Sequence, residues 1–157
     1  MKELLLNKGT IRTQVDEEDY GWLSRFSWSF NGRYVLGDGL LLHRLVMGMG
    51  IHSKTQIDHK DRNTLNNQKS NLRKSNSRLN LGNSHKTRKT CSSRFKGVSR
   101  EGSCWRASIR NRGKLKNLGY FSNEEDAARA YDRAAREVFG QFVRPNFPLA
   151  GEQSCLG

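Results

Sequence analysis

A short polar segment, residues 58–80, carries the side chains best suited to chemistry. Asp58 and His59 are adjacent, and asparagines follow them at spaced positions. A carboxylate can bind a divalent cation, and a neighbouring imidazole can accept a proton from water. In a strongly basic chain, the anion on which such a pair would act is a phosphate. The segment therefore predicts a metal-dependent nuclease.

The positive charge of the chain is concentrated in its middle third. Of the 28 Lys and Arg residues, 17 lie between Lys60 and Lys116, together with only two of the 15 Asp and Glu residues. A solvated surface usually mixes both signs, whereas a basic block of this kind is typical of a polyanion-binding protein. The charge distribution predicts a nucleic-acid partner.

Composition excludes several other classes of protein. The 157 residues suffice for one domain or two small ones, and 34% hydrophobic content predicts modest cores. No apolar run is long enough for a membrane span, and the N-terminal apolar run is too short for a secretory signal. We expect a soluble, cytoplasmic protein. The three cysteines lack a Cys-x-x-Cys pair, which argues against a disulfide framework or zinc ribbon.

The N-terminal half predicts short strands and helices around the polar segment. Acidic residues 16–19 suit the first turn of a helix, and residues 40–47 form either a strand or a short helix. A strand ending at Ile57, a loop over 60–70, a strand at Leu72 and a helix from Ser75 or Asn76 toward Lys86 should follow.

On such a framework, a strand end and the helix can face each other. Asp58 and Asn80 would then bind one Mg²⁺, with Mn²⁺ as the alternative, and Asn71 would bond back to the His59 ring or its loop. We interpret the doublet Asn66-Asn67 as a turn.

The C-terminal half predicts three strands and one helix. The strands are expected at 95–98, 105–110 and 116–121, with turns at Glu101-Gly102 and Arg112-Gly113. Ser122 and Glu125 have the spacing of a capping box, and Gly140 suits the helix C-terminus. The predicted buried helix face consists of Ala127, Tyr131, Ala134 and Val138.

Strand alternation in the C-terminal half separates a polar face from an apolar one. Arg106, Ser108 and Arg110 should share one face, opposite Trp105, Ala107 and Ile109. Lys114 and Lys116 should share a face of the next strand. A sheet of this kind can enter the DNA major groove, where Arg contacts guanine and Lys contacts phosphates. Trp105 suits packing and DNA contact equally.

The N-terminal half resembles the HNH endonuclease family, closest to its phage and mobile-intron homing members. The resemblance rests on His43-Arg44-Leu45-Val46, Asp58-His59-x-Asp61, Asn66-Asn67, Asn71-Leu72 and Asn80. It implies a ββα-metal fold in which Asp58 and Asn80 bind the metal, His59 is the general base and Asn71 orients it. Many members have His at the last position, so Asn83 and His85 are rivals to Asn80.

Residues 94–148 are similar to the AP2 DNA-binding domain of plant transcription factors and phage homing nucleases. The similarity rests on residues 95–98, 105–107, 118–121, 127–132 and 146–148. It implies DNA contacts by Lys96, Arg100, Trp105, Arg106, Arg110, Lys114 and Lys116. The plant domains have Trp where this chain has Asn117, so a plant-like sequence preference is not implied.

Together these features predict an α+β protein with two domains. They are an N-terminal ββα-metal nuclease domain, residues 1–87 with its core at about 40–87, and an AP2-type three-stranded antiparallel sheet packed on one helix, residues 94–148. A basic linker, 88–93, joins them, and a tail, 149–157, follows. The predicted function is site-specific cleavage of double-stranded DNA by a monomer, with a dimer as the alternative. The alternative function is a DNA-binding regulator or intron-splicing helper with an inactive nuclease half.

Overall fold

A computed structural model describes residues 1–50, 52–84 and 92–156 of the chain. Its backbone forms two compact units, Met1–Asn76 and Ser77–Gly157, here called the N-terminal and C-terminal units. The division lies before the predicted domain end at residue 87, so the helix at the end of the polar segment belongs to the C-terminal unit. His85 and most of the predicted linker lie outside the described residues. No helix within the described ranges has the length and apolarity of a membrane span.

In the part of the N-terminal unit that the structure describes, there are three small antiparallel sheets and two short α-helices. Its elements are β1 (Lys2–Leu6), β2 (Ile11–Val15), α1 (Glu17–Leu23), β3 (Ser29–Phe30), β4 (Val35–Gly37), β5 (Leu40–Leu41), α2 (Leu42–Val46), β6 (Gln56–His59) and β7 (Leu72–Ser75). The strands pair as β1-β2, β3-β4-β5 and β6-β7. Residues 40–47, which suited either a strand or a helix, form both in succession. The acidic residues lie at the start of α1, as predicted.

Alternation along β1 and β2 supplies much of the N-terminal core. Leu4 and Leu6 are buried while Leu5 between them is exposed, because successive strand residues point to opposite faces. Leu42 of α2 and Leu72 of β7 join the same apolar cluster. This cluster holds the β6-β7 hairpin, with Asp58 and His59 at the end of its first strand.

Within the described residues, the C-terminal unit contains a three-stranded antiparallel sheet and two α-helices. Its elements are α3 (Ser77–Asn83), β8 (Val98–Glu101), β9 (Cys104–Asn111), β10 (Lys114–Phe121) and α4 (Glu124–Phe139), and the strand order is β10-β9-β8. The prediction of a strand at 95–98 is wrong, since β8 begins only at Val98. Gly97, which has a positive φ of 77°, precedes it.

Helix α4 covers one face of this sheet. Asn123, rather than Ser122, is its N-cap, because the Asn123 side chain accepts a hydrogen bond from the Glu125 N–H at 2.7 Å. The predicted apolar face is correct only in part, since Ala134 and Val138 are half-buried. The fully packed face consists of Ala127, Ala128, Tyr131, Ala135 and Phe139. Gly140 ends the helix, as predicted.

Helix α3 is held by cationic side chains of the C-terminal unit. The Lys96 ammonium donates to the carbonyls of Leu81, Gly82 and Ser84 at 2.8–2.9 Å. The Arg144 guanidinium donates to the Asn83 side chain at 2.7 Å. Cations at the C-terminus of a helix satisfy carbonyls that have no intrahelical partner. These bonds explain why α3 belongs to the C-terminal unit.

Candidate active site and basic sheet face

The β6-β7 hairpin positions Asp58 and His59. Asp58 lies opposite Arg73 in the ladder and His59 opposite Leu72. The Arg73 guanidinium bonds the Asp58 carboxylate through Nε at 2.9 Å and Nη2 at 2.8 Å, and each side chain is 12% exposed. Since successive strand residues point to opposite faces, the Asp58 carboxylate and the His59 ring diverge from the same strand end.

The His59 ring is buried, with only 4% exposure. Its Nε2 lies 3.2 Å from Oδ1 of Asn67. The His43 ring packs edge-on at 5.2 Å between centroids, and the Tyr34 ring lies beyond at 6.5 Å from His59. Burial lowers the pKa of His59, although Asn67 and the nearby carboxylates oppose that shift. A lowered pKa leaves the imidazole neutral at pH 7 and able to accept a proton.

His43 remains neutral for a related reason. Burial, followed by the charges of His59 and Arg44, lowers the pKa of His43 to about 4. The His43 ring is buried and packs against the rings of Tyr34 and His59.

Asn71 holds the loop between β6 and β7. Its Oδ1 accepts a hydrogen bond from the Asp61 backbone N–H at 3.0 Å, and its Nδ2 donates to Asp61 Oδ1 at 2.9 Å and to the Asn66 carbonyl at 2.8 Å. The sequence predicted that Asn71 would bond either the loop or the His59 ring, and the structure shows hydrogen bonds to the loop. The ring is contacted by Asn67 instead.

Asn67 is the residue of this site that sequence reasoning missed. It was interpreted as part of a turn, yet its side chain is fully buried and bonds both His59 and β2. No local signal indicates this role, because Thr13, which accepts a hydrogen bond from Asn67, lies 54 residues away in the sequence.

The predicted metal ligands lie on different units. Asp58 lies on β6, and half-buried Asn80 lies on α3. The rival Asn83 is buried and accepts a hydrogen bond from Arg144, while His85 lies outside the described residues. Within those residues, no group of three or more His, Cys, Asp and Glu side chains could hold a metal ion. The predicted pair, one carboxylate and one amide, offers only oxygen, which suits Mg²⁺ when waters and phosphates complete its shell.

Strand register divides the basic residues of the sheet between two faces. Arg106, Ser108 and Arg110 share the face opposite α4, as predicted, while Ala107 and Ile109 are buried beneath. Directly opposed residues of an antiparallel pair share a face. Arg110 opposes exposed Leu115, whereas Lys116 opposes buried Ile109 and Lys114 opposes Asn111. The two lysines therefore lie on the other face from Arg106 and Arg110.

Three further predicted DNA contacts have distinct surroundings. Trp105 is half-buried against the cluster around Phe95, and the Arg100 guanidinium lies 5.3 Å from its ring centroid. Packing is thus one role of Trp105. Lys96 is 9% exposed, and three carbonyls of the α3 terminus already accept hydrogen bonds from its ammonium. The structure thus shows Lys96 holding the end of α3, and its contact with DNA stays a prediction.

Comparison with known proteins gives one extended match and several short ones. An uncharacterized HNH endonuclease of Acanthamoeba polyphaga mimivirus is 33% identical over 149 residues, 88% of this chain and 76% of that protein. Ethylene-responsive transcription factor 3 of Nicotiana tabacum is 48% identical over 59 residues, 36% of this chain and 26% of that protein. An AP2-like ethylene-responsive transcription factor of Arabidopsis thaliana is 34% identical over 70 residues, 45% of this chain and 12% of that protein.

No family model and no solved structure matches the chain. The plant matches cover only a small part of their proteins, so they relate a segment of this chain to a segment of each factor. The mimivirus match instead extends over most of both sequences. On that extent of similarity, this chain belongs to the HNH endonuclease family.

Proposed function

We propose that this protein is a site-specific DNA endonuclease of the homing type. The N-terminal unit would hydrolyse a phosphodiester bond, and the C-terminal unit would bind the duplex. The observation that supports catalysis best is the His59 ring, which is buried and oriented by a hydrogen bond at the end of the same strand as a carboxylate. Burial lowers the pKa of this ring, which favours its neutral, basic form.

In this proposal His59 is the general base. Its imidazole accepts a proton from the water that attacks phosphorus, and the bond from phosphorus to the leaving oxygen breaks. General-base catalysis of this kind contributes about 10²–10⁴-fold to a rate. Asn71 supports the reaction indirectly, because its three hydrogen bonds hold the loop next to the ring.

Asp58 would hold one divalent cation, Mg²⁺ or Mn²⁺, with waters and phosphate oxygens completing its shell. The role of Asn80 as a second ligand stays a prediction from the sequence. A cation there would stabilise the negative charge that grows on the phosphate and on the leaving oxygen. Arg73 bonds the Asp58 carboxylate from the neighbouring strand and thereby restricts its orientation.

The open face of the β8-β10 sheet would contact the DNA. Arg106 and Arg110 point away from α4 on this face and can read guanine edges. Arg100 and Trp105 lie toward the other face, where Lys114 and Lys116 would add phosphate contacts. The basic excess between residues 60 and 116 supports this assignment.

The short plant matches favour a second candidate, a DNA-binding regulator or splicing helper that no longer cleaves. Incubation of supercoiled plasmid carrying candidate target DNA with the protein and Mg²⁺, with and without chelator, distinguishes the two. The endonuclease should nick or linearise the plasmid only with metal, and His59→Ala should remove the activity. Binding without cleavage by the wild type, with every divalent metal tested, would exclude the endonuclease.

A further inference from the structure

We propose that Asn67 is a positioning residue that holds the His59 ring in one tautomer, with the proton on Nε2 and the lone pair on Nδ1. The inference rests on the proposed role of His59 as the base and adds the residue that decides which of its nitrogens is basic. The inference depends on the hydrogen bonds of the neutral ring and not on its pKa.

The orientation of the Asn67 amide follows from its other partners. Its Nδ2 donates to Thr13 Oγ1 at 2.8 Å and to the Thr64 carbonyl at 3.1 Å. The Thr13 hydroxyl uses its own proton to bond the Leu65 carbonyl at 2.7 Å, so it can only accept from Asn67. Rotating the amide by 180° would place Oδ1 against two acceptors. The amide is therefore fixed with Oδ1 toward His59.

The tautomer of the ring then follows. Asn67 Oδ1 has only lone pairs to offer, and His59 Nε2 lies 3.2 Å from it. The Nε2 nitrogen must carry the proton to make a hydrogen bond, which leaves the lone pair on Nδ1. Both side chains are buried, so water cannot compensate for the opposite tautomer, in which two lone pairs would face each other.

Backbone hydrogen bonds also hold Asn67 at this place. Residues 65–67 run beside β2 in a short parallel bridge, in which the Gln14 N–H donates to the Leu65 carbonyl and the Asn67 N–H donates to the Gln14 carbonyl, each at 2.8 Å. The chain Thr13, Asn67 and His59 thus connects the first hairpin to the proposed base. Residues outside the predicted core at 40–87 therefore take part in the site.

The test is direct observation of the His59 ring nitrogens by ¹⁵N NMR on the full chain at neutral pH, with His59→Gln used to assign the signal. The wild type should show protonated Nε2 and unprotonated Nδ1. A wild-type ring protonated on Nδ1 would overturn the proposal without any variant being made.

Variants then ask whether Asn67 is the cause. Asn67→Leu should give a mixture of tautomers and slow plasmid cleavage by roughly 10–100-fold, while DNA affinity stays unchanged. Asn66→Ala removes the neighbouring amide, which bonds Asp61 and not the ring, and should keep the wild-type tautomer. An Asn67→Leu protein with a wild-type ring signal would contradict the proposal.

Two variants of Thr13 keep the proposal testable if Asn67→Leu fails to fold. Thr13→Val removes the acceptor that fixes the amide, whereas Thr13→Ser retains it. The valine variant should shift the tautomer ratio and the serine variant should not, and equal ratios would count against the proposal. Because the tautomer is read without DNA, an inactive wild type with protonated Nε2 would refute the proposed function but not the positioning by Asn67.

Discussion

The two units hold their polar side chains in different ways. In the N-terminal unit, the polar residues next to the proposed base lie on the loop 60–71. Side-chain hydrogen bonds hold that loop, such as those from Asn71 to Asp61 and from the Lys69 ammonium to Glu18 at 2.6 Å. In the C-terminal unit, Arg106 and Arg110 lie on the regular strand β9, and the ladder and the packed helix beneath hold them.

This difference predicts which substitutions will damage each unit. A loop held by single side chains loses its geometry when one of them is removed, even if the unit stays folded. A sheet face loses individual contacts gradually, and it collapses only when the packing beneath fails. Substitutions in the N-terminal loop should therefore slow cleavage. Substitutions on the sheet face should weaken DNA binding, and substitutions beneath the sheet should lower stability.

The largest effect should come from Gly97→Ala in the packed layer beneath the sheet. A Cβ at Gly97 would overlap the Tyr131 ring, and the positive φ of 77° disfavours any side chain. We expect destabilisation of the C-terminal unit by about 3 kcal/mol or more. Chemical denaturation followed by near-UV circular dichroism measures this loss of stability.

Gly102→Ala is the matched control. Gly102 also has a positive φ, but a Cβ added there would meet no neighbouring atom. Equal losses would show that packing against Tyr131 is not the cause.

Asn71→Ala should separate cleavage from folding in the N-terminal unit. The variant loses three hydrogen bonds of the loop next to His59, and small displacements of catalytic groups cost about 100-fold in rate. Single-turnover cleavage is the measurement. Asn63→Ala, on the exposed part of the same loop, should lose far less. If the two variants cleave equally fast, the loop network does not matter for the site.

Arg106→Ala and Lys116→Ala compare the two faces of the sheet. Loss of Arg106, on the open face, should weaken specific binding by about 1–3 kcal/mol and relax the preference at one base pair. Lys116 points to the other face, so its loss should weaken binding to all sequences alike and lower the salt slope by about one. Binding isotherms at several salt concentrations measure both. A Lys116 variant with altered sequence preference would contradict the assignment of faces.

The smallest effect concerns acid stability of the N-terminal unit. The pKa of His43 is about 4 in the folded chain, below its ordinary value of 6.5, so the unfolded chain binds the proton first. The stability that neutral His43 contributes is complete above pH 6.5 and is lost as the pH falls toward 4. Urea unfolding at pH 7.5 and pH 5 should show this decrease, and His43→Gln should reduce the difference. If the wild type and His43→Gln lose the same stability between pH 7.5 and pH 5, His43 is not the source of that loss.

The sequence predicted best what depends on local periodicity. The shared face of Arg106, Ser108 and Arg110 follows from a two-residue repeat, and the order of strands and helices follows from local signals. Asn67 could not be predicted in the same way, because its partner Thr13 lies 54 residues away and only the folded chain brings them together. The contacts of Lys96 could not be predicted for a similar reason, since its acceptors are carbonyls of a helix earlier in the chain.

The central claim is that the N-terminal unit cleaves the DNA that the C-terminal unit binds. Its most direct test is the single-turnover rate of a preformed complex of His59→Ala with a bound duplex, measured beside its affinity for the same duplex. The account predicts unchanged affinity and cleavage slower by about 10²–10⁴-fold. Cleavage by His59→Ala at the wild-type rate would contradict it.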